Sequence, residues 1–432
     1  MTRSSCLCAC LAALLSSAAA IPEYDAAPDR QTRGRFWRFH WYRQGIEHGN
    51  PGQEMRFRIN APEASLHPTF GRRPEARENG MMLIKAEEDL SRLLAAELYA
   101  ELWGGHPGTA NKRVTINGRS TYALPPVGTE EGHCTYSYPA VPLKLTDLVC
   151  GFNALQFALD QGTAFWGHAL IDNAAVRAAL PDTHPDLAKL GLNRFTASVV
   201  AVPASEGAGY ELRLECDAGA VPLIACVEYA GWYRGYDENG NRLGEDWHGF
   251  TKHRAAHAHL GTAVAAPFRL RWDASMLPAQ TDAAVRAIVR FAADPELVFA
   301  TIPARNLAIT HPDGVQVLIA APRDLPDRFW SRAGQRKSCS FELDIDPARV
   351  TRAELHCVAW TGGAGAVEEY FTLNGMLFPI AEGSRHEVEY SRLAVDPRLL
   401  RRGRNPVDLL SDTEHHGIEI LLPGPALIIR CR

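Results

Sequence analysis

The most polar stretch of the chain is Tyr236-Asp237-Glu238-Asn239-Gly240-Asn241-Arg242-Leu243-Gly244-Glu245-Asp246-Trp247-His248-Gly249. Asp237, Asn239 and Asn241 stand at alternate positions around a glycine, as oxygen ligands do in a calcium loop. The distal glutamate of an EF-hand is missing, because His248 holds the twelfth place from Asp237. A hairpin turn at Asn239-Gly240 explains the same residues and is preferred. Asp237, Asn239 and Asn241 remain the calcium candidates, and no other cofactor is expected. Asp246 and His248 supply the carboxyl and imidazole that acid–base catalysis uses. The carboxylate pair of a glycosidase is defined by a separation in space, which sequence spacing does not give. His253 and His257 have the i, i+4 spacing that sets two imidazoles on one metal if the segment is a helix. It lacks an HExxH pattern and a helical period, so these read as surface histidines.

The elements that must position such groups show a duplication. Ala96-Glu97-Leu98-Tyr99-Ala100-Glu101-Leu102-Trp103 returns as Ala353-Glu354-Leu355-His356-Cys357-Val358-Ala359-Trp360, and Thr115-Ile116-Asn117-Gly118 as Thr372-Leu373-Asn374-Gly375. Both matches share one offset of 257 residues, and Asp89 and Arg92 fall opposite Asp346 and Arg349 in the same register. Matches in a single register indicate an internal repeat. Trp103 and Trp360, repeated together, read as core anchors, since repeats share cores more reliably than sites.

Period-two alternation dominates the rest. Met55, Phe57 and Ile59 alternate with Arg56, Arg58 and Asn60, and Tyr210 to Cys216 and Phe341 to Ile345 do the same. Met81 to Ala86, Glu97 to Trp103, Lys112 to Ile116, Ala154 to Leu159 and His168 to Ile171 are further strands, punctuated by Gly, Pro and Asn. Residues 21–55 carry Phe36-Trp37-Arg38-Phe39-His40-Trp41-Tyr42 without a clear period. They read as an irregular lead-in whose aromatics pack on the first domain, with an aromatic ligand platform as the sharper alternative. Asn173 to Leu190 reads as a short helix and a linker broken by Pro181 and Pro185. The expected class is all-β, with two related jelly-roll sandwiches flanking an Ig-like or fibronectin-type sandwich. The boundaries are residues 1–20 as a signal peptide, 21–190 and 306–432 as the jelly rolls, and 194–305 as the middle sandwich.

An Asn-Gly hairpin, a Gly-x-Asn segment (Gly151-Phe152-Asn153 and Gly403-Arg404-Asn405) and a late strand resemble the galactose-binding-like jelly roll of carbohydrate-binding modules. The resemblance covers about residues 56–171 and 315–421. It implies a ligand site on the loops at one end of the sandwich or on a concave face. On that footing His106, Trp166, His168, His415 and His416 are the ligand-binding candidates, since Trp stacks on sugar rings and His bonds hydroxyls. The two copies disagree at His106 against Gly363 and at Trp166 against His416.

Composition limits the partners. The formal net charge is -5 and the pI about 6.4, without the basic footprint that phosphate backbones need, so no nucleic-acid partner is expected. Arg3, the apolar run Cys6 to Leu15 and the small residues up to Ala20 have the layout of a secretory signal, and no later run is long enough to span a membrane. An exported, extracellular protein is expected, of unassigned oligomeric state. Seven cysteines lie beyond the signal, with Cys134–Cys150 and Cys216–Cys226 as the disulfides an oxidising compartment would allow, and burial as free thiols equally open. The leading expectation is a non-catalytic protein that binds a polysaccharide or glycoconjugate. The alternatives are a polysaccharide hydrolase or lyase with its site at a domain junction, and a structural adhesion protein.

Overall fold

The computed structural model describes residues 23–43, 57–60, 80–104, 109–124, 136–160, 168–238, 244–252 and 254–432. The chain is all-β, as the alternation predicts. The one α-helix among the described residues is the five-residue Pro185–Lys189.

A large antiparallel sheet runs from residue 35 to residue 309. Its central order is Glu245–Trp247, Ile224–Arg234, Gln280–Phe291, Leu297–Ala300, Arg35–Trp41, His168–Leu180, Ala95–Trp103 and Tyr136–Ser137. One face is buried by two smaller sheets. The sheet of Met81–Ala86, Gly151–Asp160, Ala110–Ile116 and Ser120–Ala123 closes a core around Met82, Leu98, Leu102, Ile116, Leu155, Phe157 and Val176. That of Ala197–Pro203, Gly209–Cys216 and Leu270–Asp273 closes a second around Phe36, Leu212, Tyr229, Val289 and Phe299. Burying a Leu or Phe side chain is worth roughly 1.5–3 kcal/mol, so these faces fix which way every strand turns. Residues 316–432 form a third two-layered sandwich, with Phe341, Leu355, Cys357, Phe371, Val407 and Ile429 inside. A mixed cluster of Trp103, Tyr236, Met276, Val317, Val358 and Ile428 joins it to the rest.

The two repeated stretches fold alike. Both form long strands, Ala95–Trp103 and Val350–Gly362, in which the leucine faces a core and the glutamate before it faces the other way. Each follows a short turn capped by an aspartate, Asp89 and Asp346, whose side chains accept from Ser91 N and Ala348 N. The Asn-Gly pairs turn with positive φ, 49° and 65° at Asn117 and Gly118, 53° and 80° at Asn374 and Gly375. The Gly-x-Asn segments serve those turns. Asn117 Nδ2 donates to Asn153 Oδ1 at 2.8 Å and Asn374 Nδ2 to Asn405 Oδ1 at 2.9 Å. The second asparagine of each pair, fully buried, closes its own loop by accepting from the backbone N–H of Val149 or Arg401.

Several expectations are corrected. The lead-in aromatics are not irregular: Arg35–Trp41 is an interior strand, paired to His168–Leu180 on one side and Leu297–Ala300 on the other. Apolar residues on both faces erase the period-two signal there. Asn173–Leu180 is not a helix but the end of a thirteen-residue strand. Its alanines are helix formers overridden by tertiary packing, because Ala175 and Ala179 lie beneath Trp41, Tyr99 and Trp37, where only a small residue fits. His257, by contrast, agrees with its reading as a surface histidine, exposed in the strand Ala255–His257 and stacked on Phe250 with centroids 5.6 Å apart, while His253 lies outside the described residues. Cys150, Cys216 and Cys226 are free thiols, and Cys134 lies outside the described residues. Trp103 is buried in the joining cluster, whereas Trp360 is half-buried beside His386 and His416, outside the third core.

Candidate functional site

The face of the large sheet that turns away from the two cores is lined by polar and aromatic side chains. Cross-strand register sets Glu97 beside Arg177 and Arg177 beside Phe39, with Tyr99 beside Ala175 and Ala175 beside Trp41. Farther across the sheet, Glu228 lies beside Ile288 and Ala230 beside Arg286. Alternation puts all of them on one side. Over this face run residues 23–31 and residues 245–252 and 254–257, and between them lies a cleft of about 340 Å³.

Its walls are aromatic. Phe39 stacks on Trp41 with centroids 5.7 Å apart, Trp41 meets Tyr99 edge-on at 5.9 Å, and Tyr138 stacks on Phe250 at 5.2 Å with rings 13° from parallel. Its floor is ionic. Arg177 donates from Nη1 to Asp25 Oδ2 at 2.8 Å, and its Nη2 lies 3.1 Å from Glu97 Oε2. Arg286 donates to Asp25 Oδ1 at 3.2 Å and to the Tyr24 carbonyl. Both guanidiniums lie against the Tyr24 ring, 4.5 and 4.8 Å from its centroid. At one end Arg290 binds Glu228 through two nitrogens, 2.7 and 3.1 Å.

The environment separates the two aspartates that line the cleft. Burial, with the nearby charge of Asp237, pushes the Asp246 carboxyl up to about 7. Burial would also raise Asp25, but Arg177 and Arg286 outweigh it and hold that carboxyl below its ordinary value. At neutral pH the cleft therefore presents one aspartate able to donate a proton and one held as an anion. His248 is fully buried beside them. Its Nε2 donates to the Tyr233 carbonyl at 2.9 Å, its Nδ1 lies 3.4 Å from Glu238 Oε2, and its ring stacks on Tyr233 at 3.7 Å. Burial opposes the charged imidazole, yet Glu238 overcomes it and the His248 pKa is raised.

The structure thus brings Asp246 and His248 to one cleft. Asp237 packs with Glu238 and His248, carboxylate and imidazole atoms all within 4.8 Å of one another, while Asn239 and Asn241 lie outside the described residues. His106 and Trp166 also lie outside them, as does the side chain of His168, whose backbone pairs with Asn60. His415 and His416 are exposed on the third sandwich, away from the cleft, where His416 Nδ1 shares a proton with His386 Nε2 at 2.8 Å. Sequence reasoning passed over Arg177, Arg286 and Asp25. An arginine amid the apolar Ala174 to Leu180 run was the available signal, because a charge inside a buried strand needs a partner.

A second, wider hollow of about 590 Å³ opens past Phe39 and Trp41, among Arg38, His40, Glu88 and Asp294. There Arg38 reaches Glu88 at 2.6 Å and Asp186 and Asp294 at 3.2 Å, so one guanidinium is held by three carboxylates. Its wall has fewer aromatic faces, and the narrower cleft is the better candidate.

No family model matches the chain, and no curated protein does. Among solved structures, a beta-porphyranase of glycoside hydrolase family 86 from the human gut bacterium Bacteroides plebeius is similar over 54% of this chain at 12% identity, with a TM-score of 0.23. The glycoside hydrolase domain of Endo-D from Streptococcus pneumoniae is similar over 53% at 10% identity and a TM-score of 0.24. The chain spans only 36% and 31% of their lengths. An exo-beta-1,3-galactanase from Phanerochaete chrysosporium, solved with beta-1,3-galactotriose, aligns over 81% of this chain and 78% of its own at 9% identity and a TM-score of 0.17. Scores this low leave the chemistry to rest on the geometry above.

Proposed function

We propose that the chain is an exported carbohydrate-recognition protein that binds a glycan in the cleft between residues 23–31, residues 245–251 and the outer face of the large sheet. The observation that carries this reading is the pairing of aromatic walls with fixed polar groups. Phe39, Trp41, Tyr138 and Phe250 offer apolar faces to sugar rings, while Thr251, Asp246, His259 and the ionic floor offer donors and acceptors to hydroxyls. The galactose-binding-like resemblance of the sequence supports the same class of ligand. Titration of a polysaccharide panel tests it: saturable binding of one glycan, weakened about tenfold by Phe250→Ala, is expected, and no binding across the panel contradicts it.

One observation favours a second reading, a polysaccharide hydrolase. An acid poised near pH 7 and an anionic aspartate in one cleft are the division of labour that glycoside hydrolysis uses. Reducing-sugar release from the bound polysaccharide, abolished in Asp246→Asn with binding retained, selects this reading. Binding without release selects the first.

A further inference from the structure

A separate cavity of about 390 Å³ lies between the middle segment and the third sandwich, roofed by Tyr233, Tyr236 and Trp272 and floored by Glu354, His356, Tyr390 and Arg392. The floor is laid down by register. His356 pairs with Arg392 and Val358 with Tyr390 across the strands Val350–Gly362 and Val388–Val395, so Glu354, His356, Tyr390 and Arg392 share the face opposite the core residues Leu355 and Cys357.

These side chains form a directed hydrogen-bond chain. Glu354 is held ionised, its pKa lowered to about 2, because Arg392 and His356 outweigh the effect of burial. Arg392 grips it at 2.7 and 3.1 Å, and Arg352 at 2.7 Å. A carboxylate only accepts, so His356 Nε2, 3.1 Å away, carries the proton of that bond. Burial keeps His356 below its ordinary pKa, so its Nδ1 is bare at neutral pH. Tyr390 then donates its hydroxyl proton to Nδ1 at 2.6 Å. The consequence is a phenol oxygen that offers the cavity lone pairs and no proton. Two residues along the same strand, exposed Arg392 spends Nε and Nη2 on Glu354 and leaves Nη1 to donate.

We propose that this cavity is a second saccharide site, selective for an uncharged sugar residue, in which one hydroxyl donates to Tyr390 Oη and a neighbouring oxygen accepts from Arg392. An anionic group finds no welcome there. Tyr390 presents only acceptor capacity, the two guanidiniums lining the cavity are held by carboxylates, Arg392 by Glu354 and Arg271 by Glu211, and Glu238 and Asp273 line it as well. The rings of Tyr236 and Tyr390, stacked at 5.8 Å and 12° from parallel, supply the apolar edge. His259 lines both this cavity and the cleft in the large sheet, but Tyr390 and Arg392 line this cavity alone, and Phe250 and Asp246 line only the cleft.

The test titrates the full-length protein with D-galactose, D-glucose, D-mannose and D-galacturonate by ligand-observed NMR. Saturable binding of at least one neutral hexose is expected, weakened about tenfold in Arg392→Gln and severalfold in Tyr390→Phe and unchanged in Phe250→Ala. Equal melting temperatures of the variants separate lost contacts from lost folding, and His356→Gln, whose amide can still accept from Tyr390, should retain most of the affinity. Absence of saturable hexose binding overturns the proposal. So does galacturonate binding as tightly as the hexose, or hexose binding that responds to Phe250→Ala and not to Arg392→Gln.

Discussion

Arg177 lies 2% exposed within 3.1 Å of Glu97, itself 2% exposed, and each is the other's deepest ionic partner. The two sit on adjacent strands in direct register, so the pair is written into the sheet itself. Removing Arg177 strands Glu97 as a buried charge, which costs far more than the pair contributes, whereas removing Glu97 leaves Arg177 paired to Asp25. Arg177→Met should cost about 3 kcal/mol in urea unfolding and Glu97→Gln less, and the double variant clearly less than the sum. Additive losses would show that the two charges are solvated separately.

Stability should fall as pH rises through neutrality. The Asp246 carboxyl titrates at about 7 in the folded chain against about 3.9 in an unfolded one, so between these values the native state holds the extra proton. His248, also raised, adds a contribution that is complete below its ordinary pKa and lost as pH rises through the folded value. Asp246→Asn should flatten the decline between about pH 4 and 7 in thermal melts. Glu354 and Asp25 act oppositely, destabilising the fold as pH drops through their lowered pKa values.

The asparagines at the two turns act alike, and Asn117 should be the costlier to lose because its Oδ1 also accepts from Ala154 N, where the second turn has Pro406. Asn117→Ala loses bonds to the Asp147 carbonyl, Asn153 and Ala154 N and forces a positive φ on alanine. Asn374→Ala loses bonds to the Leu399 carbonyl and Asn405. Each should cost about 2–3 kcal/mol, read as a drop in melting temperature. Glycine at either position should recover part of that loss, because it relieves the backbone but not the missing bonds.

Much of the fold was legible because its strands alternate. Leu98 and Leu355 face cores and their preceding glutamates do not, as period two requires. The Asn-Gly turns announced themselves in both segments. What alternation missed were strands apolar on both sides, Arg35–Trp41 and Asn173–Leu180, since a doubly covered strand carries no period. The site was less legible. Asp246 and His248 stood out in a polar stretch, but Asp25, Arg177 and Arg286 come from three distant segments that only the sheet brings together. The Tyr390–His356–Glu354 chain was hidden for the same reason, its members lying on two strands 34 residues apart at the hydroxyl–imidazole bond.

The central claim is that the aromatic cleft binds a glycan. Its most direct measurement is isothermal titration of the wild type and Phe250→Ala with the polysaccharide found by the panel. The account predicts saturable binding by the wild type, and about tenfold weaker binding by a variant of unchanged melting temperature. Equal affinity in the two proteins would contradict it.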